Sequence, residues 1–178
     1  MTLIVRNSDG LTNTVTRIIE VLPADQAGLF NGFVTYKARW DRDKESKDTL
    51  QLTAQVNVGE QVVGAGTVVA LDIVGQHFEG TLDLKLRDKT DPNDVWQVKA
   101  NLRKQPFGTV QLKAKIKNAD LGLGFNQAGA VKGADPSDIV DADIPVRITI
   151  GGRSFELNVA SEFKFNSSGK RAKGEGDE

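Results

Sequence analysis

The sequence predicts an all-β protein, built as an antiparallel β-sandwich or, alternatively, as a partly closed β-barrel. Alternation is the first reason: apolar and polar side chains trade places along nearly every segment, and no window of helical length carries an i, i+3, i+4, i+7 apolar stripe. Punctuation is the second, since the joints between alternating runs are rich in Gly, Asn, Asp and Pro. Composition agrees. The 178 residues are 39% hydrophobic and hold no cysteine, which allows one core of ordinary size and rules out a disulfide framework or a thiolate metal site.

Taken in order, residues 2–22 read as strand, turn, strand, with Asn7-Ser8-Asp9-Gly10 at the turn. A short linker with Pro23 and Gly28 follows over 23–28, and a main domain spans 29–166. Within it the inward positions are Val34, Tyr36, Ala38 and Trp40, then Leu50, Leu52, Ala54, Val56 and Val58. The alternation continues over Val63–Ile73, Phe78–Leu86, Trp96–Leu102, Val110–Ile116, Ile144–Ile150 and Phe155–Val159. Gly151-Gly152 supplies the positive φ values of a type I′ or II′ turn, so the last two runs form a tight hairpin. The Gly/Ala/Asp-rich excursion from Asp120 to Asp143 does not alternate and reads as a long loop, functional or mobile. Residues 167–178 carry one alanine as their only apolar side chain and read as a disordered tail.

The first hairpin resembles the closing hairpin of PKD (polycystic kidney disease) domains, which are immunoglobulin-like sandwiches of bacterial surface proteins. Thr2-Leu3-Ile4-Val5, the Asp9-Gly10 turn and Thr14-Val15-Thr16 take the roles of the two last strands and their turn, and the match covers residues 2–22 alone. The resemblance implies an extracellular or cell-surface setting, with the export signal outside this chain, and a spacer or contact role beside neighbouring domains of the same polypeptide. A two-stranded hairpin is marginal alone in water, so this one docks on its own domain or pairs with a strand of another molecule.

Charge and chemistry narrow the function. The formal net charge of −1 gives no general attraction to nucleic acid, and no apolar run is long enough for membrane insertion. A lone histidine, His77, and the absence of a thiol leave little for catalysis, so the expectation is no enzyme. Calcium is the possible cofactor. Asp135, Asp138, Asp141 and Asp143, with the Ser137 hydroxyl, concentrate oxygen ligands of the kind hard cations need, although the spacing fits no EF-hand. Asp88, Asp91, Asn93 and Asp94 form a second group and Asp41 with Asp43 a third; Asp and Asn in turns equally serve their own backbone. Carbohydrate stacking needs an exposed aromatic ring. Tyr36, Trp40 and Trp96 have inward parity, which leaves Phe107 as the ligand candidate. Lys85, Arg87, Arg103, Lys104, Lys113, Lys115 and Lys117 make a basic outer face, read as solvated and as protection against edge aggregation. The function these features suggest is a structural, assembly or adhesion module of a larger secreted bacterial protein, or else a carbohydrate- or calcium-binding module.

Overall fold

A computed structural model describes residues 2–6, 12–16, 28–29, 33–41, 47–89, 95–102, 108–132 and 139–177. The elements are β1 (Thr2–Arg6), β2 (Thr12–Thr16), β3 (Gly28–Leu29), β4 (Phe33–Asp41), β5 (Asp48–Asn57), β6 (Val68–Ile73) and β7 (Gln76–Thr81). They continue as β8 (Arg87–Asp88), β9 (Trp96–Asn101), β10 (Thr109–Ala119), α1 (Gly122–Gln127), β11 (Ile139–Ile150), β12 (Arg153–Phe165) and β13 (Arg171–Asp177).

Strands β1 and β2 form a two-stranded antiparallel sheet in register from Thr2 opposite Thr16 to Arg6 opposite Thr12. The other strands run in one continuous order, β7-β6-β11-β12-β13-β4-β5-β10-β9-β8, with every neighbour antiparallel; β3 adds a short parallel pairing to Phe155 and Glu156 of β12. Unbroken pairing across ten strands selects the partly closed barrel over two separate sheets. The two ends of the order meet without a ladder. The Thr81 N–H donates to Asp88 Oδ2 at 3.0 Å, and the rings of Phe78 and Trp96 stack with centroids 5.9 Å apart. Gly80 makes this seam possible, because any side chain there would overlap Asp88 and the Trp96 indole.

Alternation places one face of each strand inside. Val34, Leu50, Ala54, Val56, Ile116, Ile144, Ile150, Val159 and Phe163 are completely buried, and with their neighbours they fill the barrel. The outward face of β4, β5, β10 and β12 carries Lys37, Arg39, Gln51, Lys113, Lys115, Glu156 and Glu162. That is the reverse of a lipid-facing barrel, whose outer band is apolar. No helix among the described residues is long and apolar enough to cross a membrane.

The interior is completed by α1. Phe125 is fully buried and lies flat on Trp40, with centroids 4.8 Å apart and planes 6° from parallel, and it meets Phe163 at 5.6 Å. Six residues are too few for a helix to hold itself in water, so tertiary contacts must supply its stability. One such contact is Asp48: its Oδ2 accepts the N–H groups of Leu121 (2.7 Å) and Gly122 (2.9 Å), while Oδ1 accepts that of Asp41 (3.1 Å). Phe125→Ala is expected to cost about 3–5 kcal/mol, the usual range for an aromatic ring removed from a core. Denaturant titration measures that loss, and near-UV circular dichroism should show the Trp40 environment lost with it.

Several expectations are corrected. The tail over 167–178 is not disordered: residues 171–177 are β13, which lies between β12 and β4 and pairs with both. Its inward residues are Ala172, Gly174 and Gly176, so the strand brings almost no apolar side chain of its own. Its neighbours supply the cover. Phe163 lies over Gly174, and Tyr36 and Ser161 over Gly176, each where a Cβ would stand. The excursion over 120–143 is in part structured, as α1 and as the start of β11 at Ile139.

Two strand boundaries also move. The run expected over 78–86 stops at Thr81, because Asp83 Oδ1 accepts the N–H groups of Lys85 (2.7 Å) and Arg87 (3.1 Å) and folds the chain into a turn. Leu84, inward by parity, is therefore 91% exposed. Similarly, Thr67 Oγ1 accepts the Gly64 N–H at 3.0 Å, and the strand expected from Val63 begins at Val68. The linker expected to include Gly28 ends sooner, since Gly28 already pairs with Phe155. The hairpin at Gly151-Gly152 is as expected: both have positive φ (55° and 88°) and Ile150 faces Arg153.

Candidate functional site

The outer wall of the barrel is where charged side chains gather, and strand register decides which of them meet. On β11, β12 and β13 one cross-strand row reads Asp141, Glu162, Glu175; the next holds Asp143 opposite Ala160, and Asp177 on β13. These five carboxylates are exposed and line a shallow cleft of about 610 Å³ with Ala142, Ala160 and Ser161. One is partly neutralised: Lys37 Nζ lies 3.3 Å from Glu175 Oε2. On β8, β9 and β10 a row reads Arg87, Lys99, Lys113, and Lys115 lies in the row beside it. Arg87 Nε is 3.6 Å from Asp83 Oδ2, whereas Lys99, Lys113 and Lys115 have no ion-pair partner among the described residues.

Of the calcium candidates, Asp141 and Asp143 point outward from β11 rather than from a loop. Asp135 and Asp138 lie outside the described residues, as does the ligand candidate Phe107. Glu162, Glu175 and Asp177, which join Asp141 and Asp143, were not expected there; the parity of Glu162 would have placed it opposite Asp141 had β12 been extended past Val159. Paired strands lie about 4.7–4.9 Å apart, so Asp141, Glu162 and Glu175 start from neighbouring positions on the same face. Among the described residues no three His, Cys, Asp or Glu side chains form a group able to hold a metal ion.

Of the second acidic group, only Asp88 is described, and it is buried at the barrel seam with its Oδ2 accepting the Thr81 N–H. Asp41, from the third, accepts a hydrogen bond from Arg171 Nε at 2.8 Å across the β4–β13 pair. Tyr36, Trp40 and Trp96 are core residues, as their parity predicts. Burial raises the Tyr36 phenol pKa, and its hydroxyl donates to Ser161 Oγ at 2.6 Å.

His77 is exposed on β7, opposite Asp72 of β6, with Nδ1 2.6 Å from Asp72 Oδ1 and Nε2 3.8 Å from Glu79. The Asp72 hydrogen bond is the main cause that raises its pKa above the ordinary 6.5. The stabilisation is therefore complete below the unfolded-state pKa and is lost as pH rises through the higher folded-state value. Solvent screens this exposed pair, so the loss should stay under about 1 kcal/mol. An NMR titration of His77 in Asp72→Asn should show the imidazole returning toward its ordinary pKa; an unchanged value would assign the shift elsewhere.

Comparison with family models, with curated proteins and with solved structures finds no match to this chain. Functional reasoning therefore rests on the charged outer wall, the packed interior and the hairpin β1–β2.

Proposed function

We propose that the chain is a non-enzymatic structural, assembly or adhesion module of a larger secreted or cell-surface bacterial protein. The filled barrel supports this most directly. Barrels that bind small molecules keep space inside them, whereas here the stack of Trp40, Phe125 and Phe163 occupies that position. Among the described residues the two buried carboxylates, Asp48 and Asp88, accept backbone N–H groups and so serve the fold. The pairing of β1 with β2 is in keeping with the PKD-like hairpin, and that resemblance supplies the extracellular setting and the neighbouring domains as partners.

Thermal melts separate this reading from a calcium- or carbohydrate-binding module. Curves recorded with millimolar Ca²⁺ and with chelator should superimpose, and Trp40 and Trp96 fluorescence should be silent to a panel of sugars. A calcium-dependent rise of several degrees, lost on Asp141→Asn with Asp143→Asn, would replace the structural module with a calcium site.

A further inference from the structure

Over β4, β5, β10 and β9, neighbours in that order, the outward positions carry Lys37, Arg39, Lys113, Lys115, Lys117 and Lys99. Among the described residues of these four strands the one outward carboxylate is Asp41, at the end of β4, and Arg171 holds it at 2.8 Å. Apart from Phe33, the other outward side chains there are threonine, glutamine and asparagine.

Register sorts these residues. Lys113, Lys115 and Lys117 of β10 face Thr53, Gln51 and Thr49 of β5. Gln51 and Thr49 in turn face Lys37 and Arg39 of β4. Strand β5 is thus an uncharged floor of hydrogen-bonding groups with cations along both sides, about 9–10 Å apart across two ladder spacings. A shallow cleft of about 460 Å³ opens on this floor at Thr35, Lys37, Gln51 and Thr53, and Glu175 and Asp177 bound it on the β13 side. Glu175 takes up Lys37 at 3.3 Å, whereas Arg39, Lys113 and Lys115 have no ion-pair partner among the described residues.

Edge protection does not account for these lysines, because β10 and β5 are paired on both sides. Nor does the fold gain from them: Lys99 stands directly opposite Lys113, and like charges so placed are destabilising. An anionic ligand relieves that repulsion.

We infer that this face binds an acidic polysaccharide, a polymer bearing carboxylate or sulfate groups, laid along β5. Its hydroxyls meet Thr49, Gln51 and Thr53, and its acid groups meet the lysines of β10 and Arg39. The inference rests on the reading of the chain as an adhesion module and names the surface to which it adheres. Single-stranded nucleic acid shares the negative charge but draws much of its affinity from bases stacked on aromatic rings. Phe33, at one corner and 38% exposed, is the one aromatic ring these strands turn outward among the described residues. Trp40 and Trp96 are buried beneath the wall, so a polymer bound here leaves their fluorescence silent.

Affinity electrophoresis at about 0.15 M salt, where exposed charges are screened beyond about 8 Å, tests this. The gels carry polygalacturonate, dextran sulfate, neutral dextran, polyphosphate or single-stranded DNA. The wild type should be retarded by polygalacturonate, by dextran sulfate or by both, the stronger of the two naming the acid group. Neutral dextran, polyphosphate and DNA should bind at least about fivefold more weakly. Lys113→Gln with Lys115→Gln should weaken polysaccharide binding about fivefold or more. Lys85→Gln with Lys132→Gln, the same change of charge elsewhere on the barrel, should bind like the wild type. Gln51→Ala with Thr53→Ala leaves every charge in place and should still lose affinity. Absence of retardation by both acidic polysaccharides overturns the inference, as does equal loss in the Lys85 and Lys132 control. Polyphosphate or DNA bound as tightly as the polysaccharides, or an unchanged Gln51 and Thr53 variant, overturns it in favour of a general polyanion surface. These outcomes leave the module reading to the calcium melts and the tryptophan fluorescence, which do not depend on this face.

Discussion

Removal of residues 167–178 is expected to abolish cooperative unfolding of the barrel rather than to lower its midpoint. Strand β13 is the only link between β12 and β4, so its loss strips one edge from each and opens the ring among the described residues. The inward faces of Phe163, Tyr36 and Trp40, all buried under or beside β13, would then meet water. Backbone groups of residues 161–165 and 35–41 would lose their partners in the same step. Against a total stability of about 5–15 kcal/mol for a domain, that combined loss leaves no folded barrel. Thermal circular dichroism and the Trp40 emission maximum read the outcome directly; a sharp transition within a few degrees of the wild type would show that β13 is dispensable.

A point substitution tests the same strand without shortening the chain. Gly174→Val would place its side chain in the Phe163 ring, and forcing extra carbons into a packed core costs about 1–3 kcal/mol or more. Lys173→Val, one residue away on the outer face, should be nearly silent. The pair separates the inward glycine requirement from any general intolerance of β13.

The second large effect is expected at Asp48. In Asp48→Ala the buried N–H groups of Leu121 and Gly122 and the part-buried one of Asp41 lose their acceptor, at a cost of about 3 kcal/mol or more. For a chain of this size that is a fall of roughly 6–12 °C in Tm. Because α1 is tied to β4 and β5 through this side chain, Trp40 near-UV dichroism should change together with Tm. Burial raises the Asp48 carboxyl above its ordinary 3.8, and its hydrogen bonds to Leu121, Asp41 and Gly122 offset part of that. The charged form is therefore the disfavoured one in the fold, and its contribution to stability falls as pH rises through the raised pKa. Asp48→Asn, which cannot ionise, should flatten that part of the pH–stability profile; a profile identical to the wild type would remove Asp48 from the account.

Most strands are legible from residue type alone because a half-buried strand must alternate, and Leu50 to Val58 or Val110 to Ile116 leave no other choice. Legibility fails where a side chain competes with the ladder. Asp83 and Thr67 capture backbone N–H groups, and the apolar parity of Leu84 and Val63 carries no information about that. It also fails for β13, whose inward face is bare backbone: Phe163 and Tyr36 come from strands 125 and more residues apart at the extreme, as the Tyr36–Ser161 hydrogen bond illustrates, and only their meeting creates a place for Gly174 and Gly176. Helix α1 is too short to show a period, and its position depends on Asp48, far away in the chain.

The charged wall follows the same division. The individual lysines and aspartates, and the side of the strand each occupies, are local facts, since parity turns on the next residue along. Their grouping is not local. Asp141 meets Glu162 and Glu175, and Lys99 meets Arg87 and Lys113, through pairings between distant segments. Alternation and turn chemistry act over two to four residues and so decided strands and joints. Strand order and register, which are set by the packing of the whole barrel, decided which charges stand together and where a glycine strand could be buried.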